Sequence, residues 1–127
     1  MARLLIVDDD HQIAIVFARM LEREGYQVAT AFDCESALQA VAASTRQFDG
    51  VLLDLCMPAA DGLAFLRRLR DDPQYESTPV AVVTGNHLIS ERTVAELHEL
   101  GAIVRFKPLW PGDFRKIAHT LLSTSQL

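Results

Sequence analysis

Short apolar runs, each the length of one buried strand, recur along this chain and alternate with stretches of helical periodicity. The runs are residues 4–7, 51–54, 80–84 and 102–106, and residues 26–31 alternate more weakly. The helical stretches are residues 12–24, 34–43, 62–71, 90–100 and 113–123. Regular alternation of buried strands and helices predicts an α/β domain, with a parallel sheet, right-handed crossovers and helices on both faces.

The strand order is not fixed by periodicity, but 2-1-3-4-5 is the common order for a doubly wound sheet of five strands. This is the flavodoxin-like arrangement. In the first helix, the apolar residues at spacings of three and four are predicted to face the core, namely Ile13, Val16, Phe17, Met20 and Leu21. In the third helix, Asp61 is predicted to be the N-cap, and Arg67, Arg68 and Arg70 to point outward.

Length, charge and cysteine content exclude several classes of protein. The 127 residues suit a single domain, predicted to span residues 1–127. The 17 acidic residues outnumber the 12 basic ones, which argues against a nucleic-acid partner. Cys34 and Cys56 form no CxxC motif and are expected to be reduced thiols of a cytoplasmic protein. The apolar run at residues 4–7 is too short for a signal peptide or membrane span, so no membrane association is expected.

Polar residues follow four of the predicted strands. The first strand ends in Asp8, Asp9 and Asp10, the third in Asp54, the fourth in Thr84 and the fifth in Lys107. Carboxyl ends of parallel strands share one edge of the sheet, so neighbouring first and third strands bring Asp8, Asp9 and Asp54 together. Clustered carboxylates repel unless one is protonated or a cation binds. Hard oxygen ligands with room for water favour Mg²⁺.

Each of these residues also has an ordinary structural interpretation. Asp10 is explained equally well as a helix cap and as a metal ligand. His11 could also cap this helix. A threonine at a strand end and a solvated lysine are common when taken singly. Together, however, a metal-held carboxylate, a hydroxyl and an ammonium suit phosphoryl transfer. Asp54 would be the nucleophile, and Thr84 and Lys107 would contact the oxygens of the phosphoryl group.

With these motifs in place, the chain resembles the receiver domain of two-component response regulators. The resemblance covers essentially the whole chain and is carried by Val7-Asp8-Asp9-Asp10, Asp54-Leu-Cys-Met-Pro-Ala-Ala-Asp-Gly62, Thr84-Gly85 and Lys107-Pro108. It implies phosphorylation of Asp54 by a sensor histidine kinase or a phosphotransfer protein. It further implies Mg²⁺ bound by Asp9, Asp54 and the backbone carbonyl of Cys56, with Asp8 acting mainly through water.

The resemblance also implies how a signal leaves the domain. We expect no output domain after the last helix and therefore expect output through a protein-binding surface, which in this family is residues 90–122. A downstream protein or a second copy of the chain could bind there. The only catalysis expected is self-phosphorylation and dephosphorylation. In the fifth strand, Val104 stands three residues before Lys107, where the family usually has Tyr or Phe.

Three alternatives remain open from the sequence. A receiver-like interaction module that is never phosphorylated would keep only the fold. A flavodoxin-like cofactor binder would need a Ser/Thr/Gly-rich loop after the first strand, where this chain has three acids. An Asp-nucleophile phosphatase would need a second acid two residues after Asp54, where Cys56 stands.

Overall fold

The computed structural model describes residues 2–54, 59–85, 89–106 and 111–125. Within them, five strands alternate with five α-helices. The elements are β1 (Arg3–Val7), α1 (His11–Arg23), β2 (Gln27–Ala31), α2 (Cys34–Ala43), β3 (Gly50–Asp54), α3 (Ala59–Asp71), β4 (Val80–Thr84), α4 (Glu91–Glu99), β5 (Ala102–Phe106) and α5 (Pro111–Ser125), with a short 3-10 helix at Pro73–Tyr75. All paired strands are parallel, in the order β2-β1-β3-β4-β5. The predicted fold class and strand order are therefore confirmed.

The core consists of two layers, one on each face of the sheet. Alternate residues of each strand point to opposite faces, so Leu53 joins one layer and Leu52 the other. The first layer lies under α2, α3 and α4 and contains Phe65 and Leu97, whereas the second lies under α1 and α5 and contains Leu121. The central strands β3 and β4 are buried along their whole length. This rigid centre fixes the position of whatever follows the ends of β1, β3 and β4.

The inner face of α1 differs from the sequence-based prediction. Its buried residues are Ala14, Ala18 and Leu21, with Phe17 and Met20 partly buried. Ile13 is 36% exposed and Val16 is 60% exposed, so placing these two inward was wrong. Small alanines let the helix backbone approach the sheet closely, and the larger branched residues are then left outside. Burial here follows fit against the sheet rather than hydrophobicity alone.

Two predictions for α3 were also wrong. The helix begins at Ala59, so Asp61 lies inside the first turn rather than at the cap. An acid is favoured by the helix dipole anywhere in that turn, so an aspartate alone does not mark the first residue. Arg70 was predicted to point outward, but it is half-buried and its guanidinium donates to three backbone carbonyls.

The helix ends otherwise follow the side-chain chemistry of the sequence. Ser90 accepts a hydrogen bond from the backbone N–H of Thr93 and caps α4, as predicted. Asp33 caps α2 in the same way, through the N–H of Ser36. In the part of the chain that the structure describes, no helix is long and apolar enough to cross a bilayer.

Candidate functional site

Two acidic side chains meet at the carboxyl end of the sheet centre. Val7 pairs with Leu53 across β1 and β3, so the next residues along, Asp8 and Asp54, lie beside each other where these strands end. Asp8 is 3% exposed and Asp54 is 7% exposed. Buried carboxylates are rare unless they are paired or bind a cation, because desolvation opposes the charged form. Asp9, in contrast, is exposed to solvent.

The backbone around Asp8 holds its carboxylate in one orientation. The N–H of Asp10 donates to Oδ1 of Asp8 at 2.9 Å, and the N–H of Asp8 donates to the carbonyl of Ala31 at 3.0 Å. Oδ1 of Asp10 accepts a hydrogen bond from the N–H of Ile13 at 3.1 Å and caps α1. The choice that the sequence left open for Asp10 is therefore resolved in favour of the cap, and the carboxylate of Asp8 is fixed by the same turn.

Asp8 and Asp54 share one small cavity whose other walls are apolar. Those walls are formed by Ile6, Val7, Phe17, Leu52, Leu53 and Val83. Apolar walls lower the local dielectric, so charges inside interact more strongly than they would in water. Two carboxylates in such a cavity repel each other, and a cation held between them removes that repulsion.

Thr84 lies on the neighbouring strand at the same sheet edge. Asp54 pairs with Val83 across β3 and β4, so Thr84 is one residue beyond the strand partner of Asp54. Its side chain is 1% exposed, which makes it one of four buried polar or charged residues among those described. The sequence predicted Asp8, Asp54 and Thr84 at one edge of the sheet, and the structure has all three there, buried.

The acidic side chains at this edge of the sheet are candidate ligands for Mg²⁺. Among residues 2–54, 59–85, 89–106 and 111–125, no group of three His, Cys, Asp or Glu side chains is arranged to hold a metal ion. Mg²⁺ does not need such a cage, because it keeps several waters and binds through one or two carboxylates. The acidic residues at this edge, Asp8, Asp9 and Asp54, supply at least that many, so the donor set fits Mg²⁺. Cys56 and Lys107, which were also predicted for the site, lie outside the described residues.

Sequence reasoning missed an apolar surface beside this edge of the sheet. Ile13, Ile15 and Val16 are all exposed in the first turns of α1, directly after the acidic turn that contains Asp8. Just before them, the ring of His11 stacks on Phe32 with centroids 3.8 Å apart. The sequence does indicate which face of α1 is buried, since Ala14 and Ala18 lie four residues apart and can form the inner face. The more hydrophobic beta-branched residues Ile13, Ile15 and Val16 made this spacing hard to recognise.

The family model for the response regulator receiver domain matches residues 4–117, which is most of the chain and includes every described site residue. The chain belongs to the response regulator receiver domain family. Among curated relatives, the receiver domain is 39% identical over 83 residues to the response regulator PleD of Caulobacter vibrioides. It is 38% identical over 90 residues to the response regulator MprA of Mycolicibacterium vanbaalenii.

These matches cover 65% and 71% of the receiver domain but only 18% and 37% of the two relatives. The chain thus spans well under half the length of either protein. Solved structures of similar size match it throughout. The chemotaxis protein CheY4 of Vibrio cholerae is 31% identical with a TM-score of 0.83, over 96% of this chain and 99% of that one. A CheY-like receiver domain protein from Methanospirillum hungatei is 26% identical with a TM-score of 0.85, over 99% and 97%.

Proposed function

We propose that this receiver domain is switched by transfer of a phosphoryl group to the carboxylate of Asp54 in the presence of Mg²⁺. The observation that carries the proposal is the pair of buried carboxylates, Asp8 and Asp54, at the ends of adjacent central strands. The fold alone does not call for such a pair, because aspartates are among the residues least often fully buried, and a divalent cation would offset the mutual repulsion of the two acids. Membership of the receiver family supports the same conclusion.

In the proposed reaction, an oxygen of Asp54 attacks phosphorus and forms an acyl phosphate, while the bond from phosphorus to the donor's histidine nitrogen breaks. Asp9, Asp54 and the backbone carbonyl of Cys56 would bind Mg²⁺ directly and Asp8 mainly through water, and the ion would supply positive charge against the phosphoryl oxygens. The exposure of Asp9 to solvent leaves its carboxylate open to such a contact. The walls formed by residues such as Leu52 and Val83 keep bulk water away from one side of the acyl phosphate.

Thr84 and Lys107 respond to the phosphoryl group by contacting its oxygens. The hydroxyl of Thr84, at the end of β4, donates a hydrogen bond to one phosphoryl oxygen, and the ammonium of Lys107 contacts another. Formation of the acyl phosphate replaces the single negative charge of the Asp54 carboxylate with a phosphoryl group that carries about −1.5 to −2 at neutral pH. That charge shifts an existing equilibrium between two conformations of the domain, and the shift is the signal.

The donor of the phosphoryl group is a protein with a phosphohistidine, either a sensor histidine kinase or a phosphotransfer protein. To reach Asp54, it passes the first turns of α1, where Ile13, Ile15 and Val16 offer apolar contact. The signal then leaves through residues 90–122, by contact with a downstream protein or a second copy of the chain. α4 belongs to this output surface and carries an exposed Arg92 and Glu99.

Binding of beryllium trifluoride with Mg²⁺ tests the proposal, since this anion mimics a phosphoryl group on aspartate. The single tryptophan, Trp110, provides a fluorescence reading. We expect a saturable change in the wild type and none in Asp54→Asn, and loss of the change when Mg²⁺ is chelated. An unchanged response in Asp54→Asn contradicts the assignment of the phosphoacceptor. No response in the wild type favours the unphosphorylated interaction module.

Two simple measurements distinguish a receiver domain from the flavodoxin-like cofactor binder and from the phosphatase. A bound flavin would make the purified protein yellow, which the receiver assignment does not predict. Turnover of p-nitrophenyl phosphate with Mg²⁺ would indicate a phosphatase. We expect neither, because the turn after β1 is acidic and because Cys56 offers no carboxylate for protonating a leaving group.

A further inference from the structure

Arg70 joins three separate parts of the fold through its guanidinium. Nε donates to the carbonyl of Leu100 at 2.7 Å, and Nη1 donates to the carbonyls of Tyr75 at 2.8 Å and Thr78 at 2.6 Å. Leu100 is the C-cap of α4, Tyr75 ends the 3-10 helix, and Thr78 leads into β4. One side chain of α3 therefore ties the end of α4 to the segment that enters the central sheet.

The contact with α4 is favourable in both hydrogen bonding and charge. A cation at a helix C-terminus interacts well with the partial negative charge of the last carbonyls. Burial lowers the pKa of the Arg70 guanidinium, so this charge is partly removed from water. Hydrogen bonds to a partly desolvated charge are stronger than those on the surface.

Gly101 follows the C-cap of α4 beside the guanidinium. Its φ of +81° lies in the left-handed region, which favours glycine. A Cβ at this position would lie 3.4 Å from Nη2 of Arg70, which is at the edge of van der Waals contact. The guanidinium therefore packs directly against the turn between α4 and β5.

Arg67, on the same helix as Arg70, also contacts α4. It forms an ion pair with Glu96, but the two side chains are 55% and 34% exposed. Exposed ion pairs contribute little to stability, because water screens them. Arg67 therefore offers a matched comparison for the half-buried Arg70.

We propose that Arg70 is a positioning residue that fixes the C-terminal end of α4, so that switching of the domain moves α4 about Leu100 and displaces mainly its N-terminal end. The statement about switching rests on the proposed function, whereas the anchoring of Leu100 does not. The output surface of residues 90–122 would then change most around Ser90 to Thr93 and least around Gly101.

Hydrogen exchange of the full chain, followed by mass spectrometry, tests the anchoring without any ligand. Arg70→Met keeps the aliphatic stem and removes the donors, and Arg67→Met is the matched control on the same helix. We expect amides 97–101 to exchange about tenfold faster in Arg70→Met, and within about twofold of wild type in Arg67→Met. Arg70→Lys retains one donor group and should give an intermediate rate. Equal exchange in the Met variants overturns the anchoring.

The same measurement with Mg²⁺ and beryllium trifluoride tests the pivot. In the wild type, we expect ligand-dependent changes at residues 89–94 and none at 97–101, whereas in Arg70→Met the changes extend to 97–101. Equal changes at both ends of wild-type α4 overturn the pivot. Absence of any ligand effect contradicts the proposed function instead, and the ligand-free comparison then still decides the anchoring. If Arg70→Met does not fold, a comparison of amide exchange at residues 97–101 between Arg70→Lys and Arg67→Met decides whether Arg70 anchors the end of α4.

Discussion

Thr84 and Phe106 are register partners at the carboxyl ends of β4 and β5, yet Thr84 is 1% exposed and Phe106 is 42% exposed. By alternation along each strand, they lie on the sheet face of Val82 and Val104, which is the face covered by α4. A buried hydroxyl of the proposed site thus has a half-exposed aromatic ring as its neighbour across the sheet.

The first prediction concerns the coupling of these two residues. Beryllium trifluoride with Mg²⁺ should shift the ring NMR signals of Phe106 in the wild type, because Thr84 is drawn toward the bound anion. Thr84→Ala removes the hydroxyl and should weaken anion binding by about tenfold or more, given the worth of a hydrogen bond to a charged group. At saturating anion, the ring signals of Phe106 should then stay unshifted. Thr84→Ser keeps the hydroxyl and should restore both effects, and an unaltered shift in Thr84→Ala contradicts the coupling.

A second prediction follows from the paired carboxylates. Without divalent ions, Asp8→Asn should raise the melting temperature, because it removes repulsion between buried charges. Added Mg²⁺ should raise the melting temperature of the wild type by mass action, and much less in Asp8→Asn. Calorimetry with and without Mg²⁺ gives the comparison.

Asp10→Asn is the matched control for Asp8→Asn. It removes a neighbouring charge while keeping a good N-cap for α1. We expect its response to Mg²⁺ to remain close to that of the wild type. If Asp10→Asn and Asp8→Asn lose the response equally, the metal is not held by the buried pair.

A third prediction concerns the apolar surface of α1. Val16→Glu should change the free energy of unfolding by no more than about 0.5 kcal/mol, because this side chain is 60% exposed. It should slow phosphotransfer from an autophosphorylated histidine kinase by about tenfold, as loss of an interface contact would. Phosphorylation by acetyl phosphate, which needs no docking surface, should be unaffected.

The control for the α1 surface is Gln39→Glu, which adds the same charge to the exposed face of α2. A panel of purified kinases supplies the donors. Equal slowing by Gln39→Glu would indicate a general charge effect, and equal slowing with acetyl phosphate would indicate damage to the site itself.

The fourth prediction uses the cap of α2. The hydrogen bond from the N–H of Ser36 lowers the pKa of Asp33 below its ordinary value of 3.8. A lowered pKa means that the stabilisation is fully present above pH 3.8 and is lost as the pH falls through the lower folded-state value. Asp33→Ala should therefore melt below the wild type at pH 7, with the gap narrowing in strong acid.

Asp33→Asn separates capping from titration in that experiment. Asparagine caps without ionising, so the gap between Asp33→Asn and Asp33→Ala should change little with pH. Thermal melts from neutral to strongly acidic pH provide the data. If the difference in melting temperature between Asp33→Ala and the wild type widens as the pH falls, Asp33 does not stabilise α2 as an ionised cap.

The sheet was predictable because the burial of a short apolar strand depends on residues that are adjacent in the sequence. Runs such as Val51 to Leu53 bury both faces of a strand and leave few other structures open to them. The acid pair followed from the same runs, since Asp8 and Asp54 come directly after apolar residues. Strand order came from domain size and not from any residue.

The errors arose where packing geometry overrides residue type. Val16 is more hydrophobic than Ala14, yet Ala14 is buried because the helix lies close to the sheet. Arg70 is charged, yet its hydrogen bonds to the carbonyls of Tyr75, Thr78 and Leu100 make its partial burial favourable. Both outcomes depend on what lies opposite the residue in space, which periodicity along the chain does not encode.

The central claim is that Asp54, supported by Mg²⁺, is the residue that takes up the phosphoryl group, and intact-protein mass spectrometry tests it most directly. After incubation with acetyl phosphate and Mg²⁺, the wild type and Asp10→Asn should each gain the mass of one phosphoryl group. Asp54→Asn should gain none, and chelation of Mg²⁺ should abolish the gain in the wild type. A phosphoryl adduct of equal extent on Asp54→Asn, or one that forms equally well without Mg²⁺, would contradict the account.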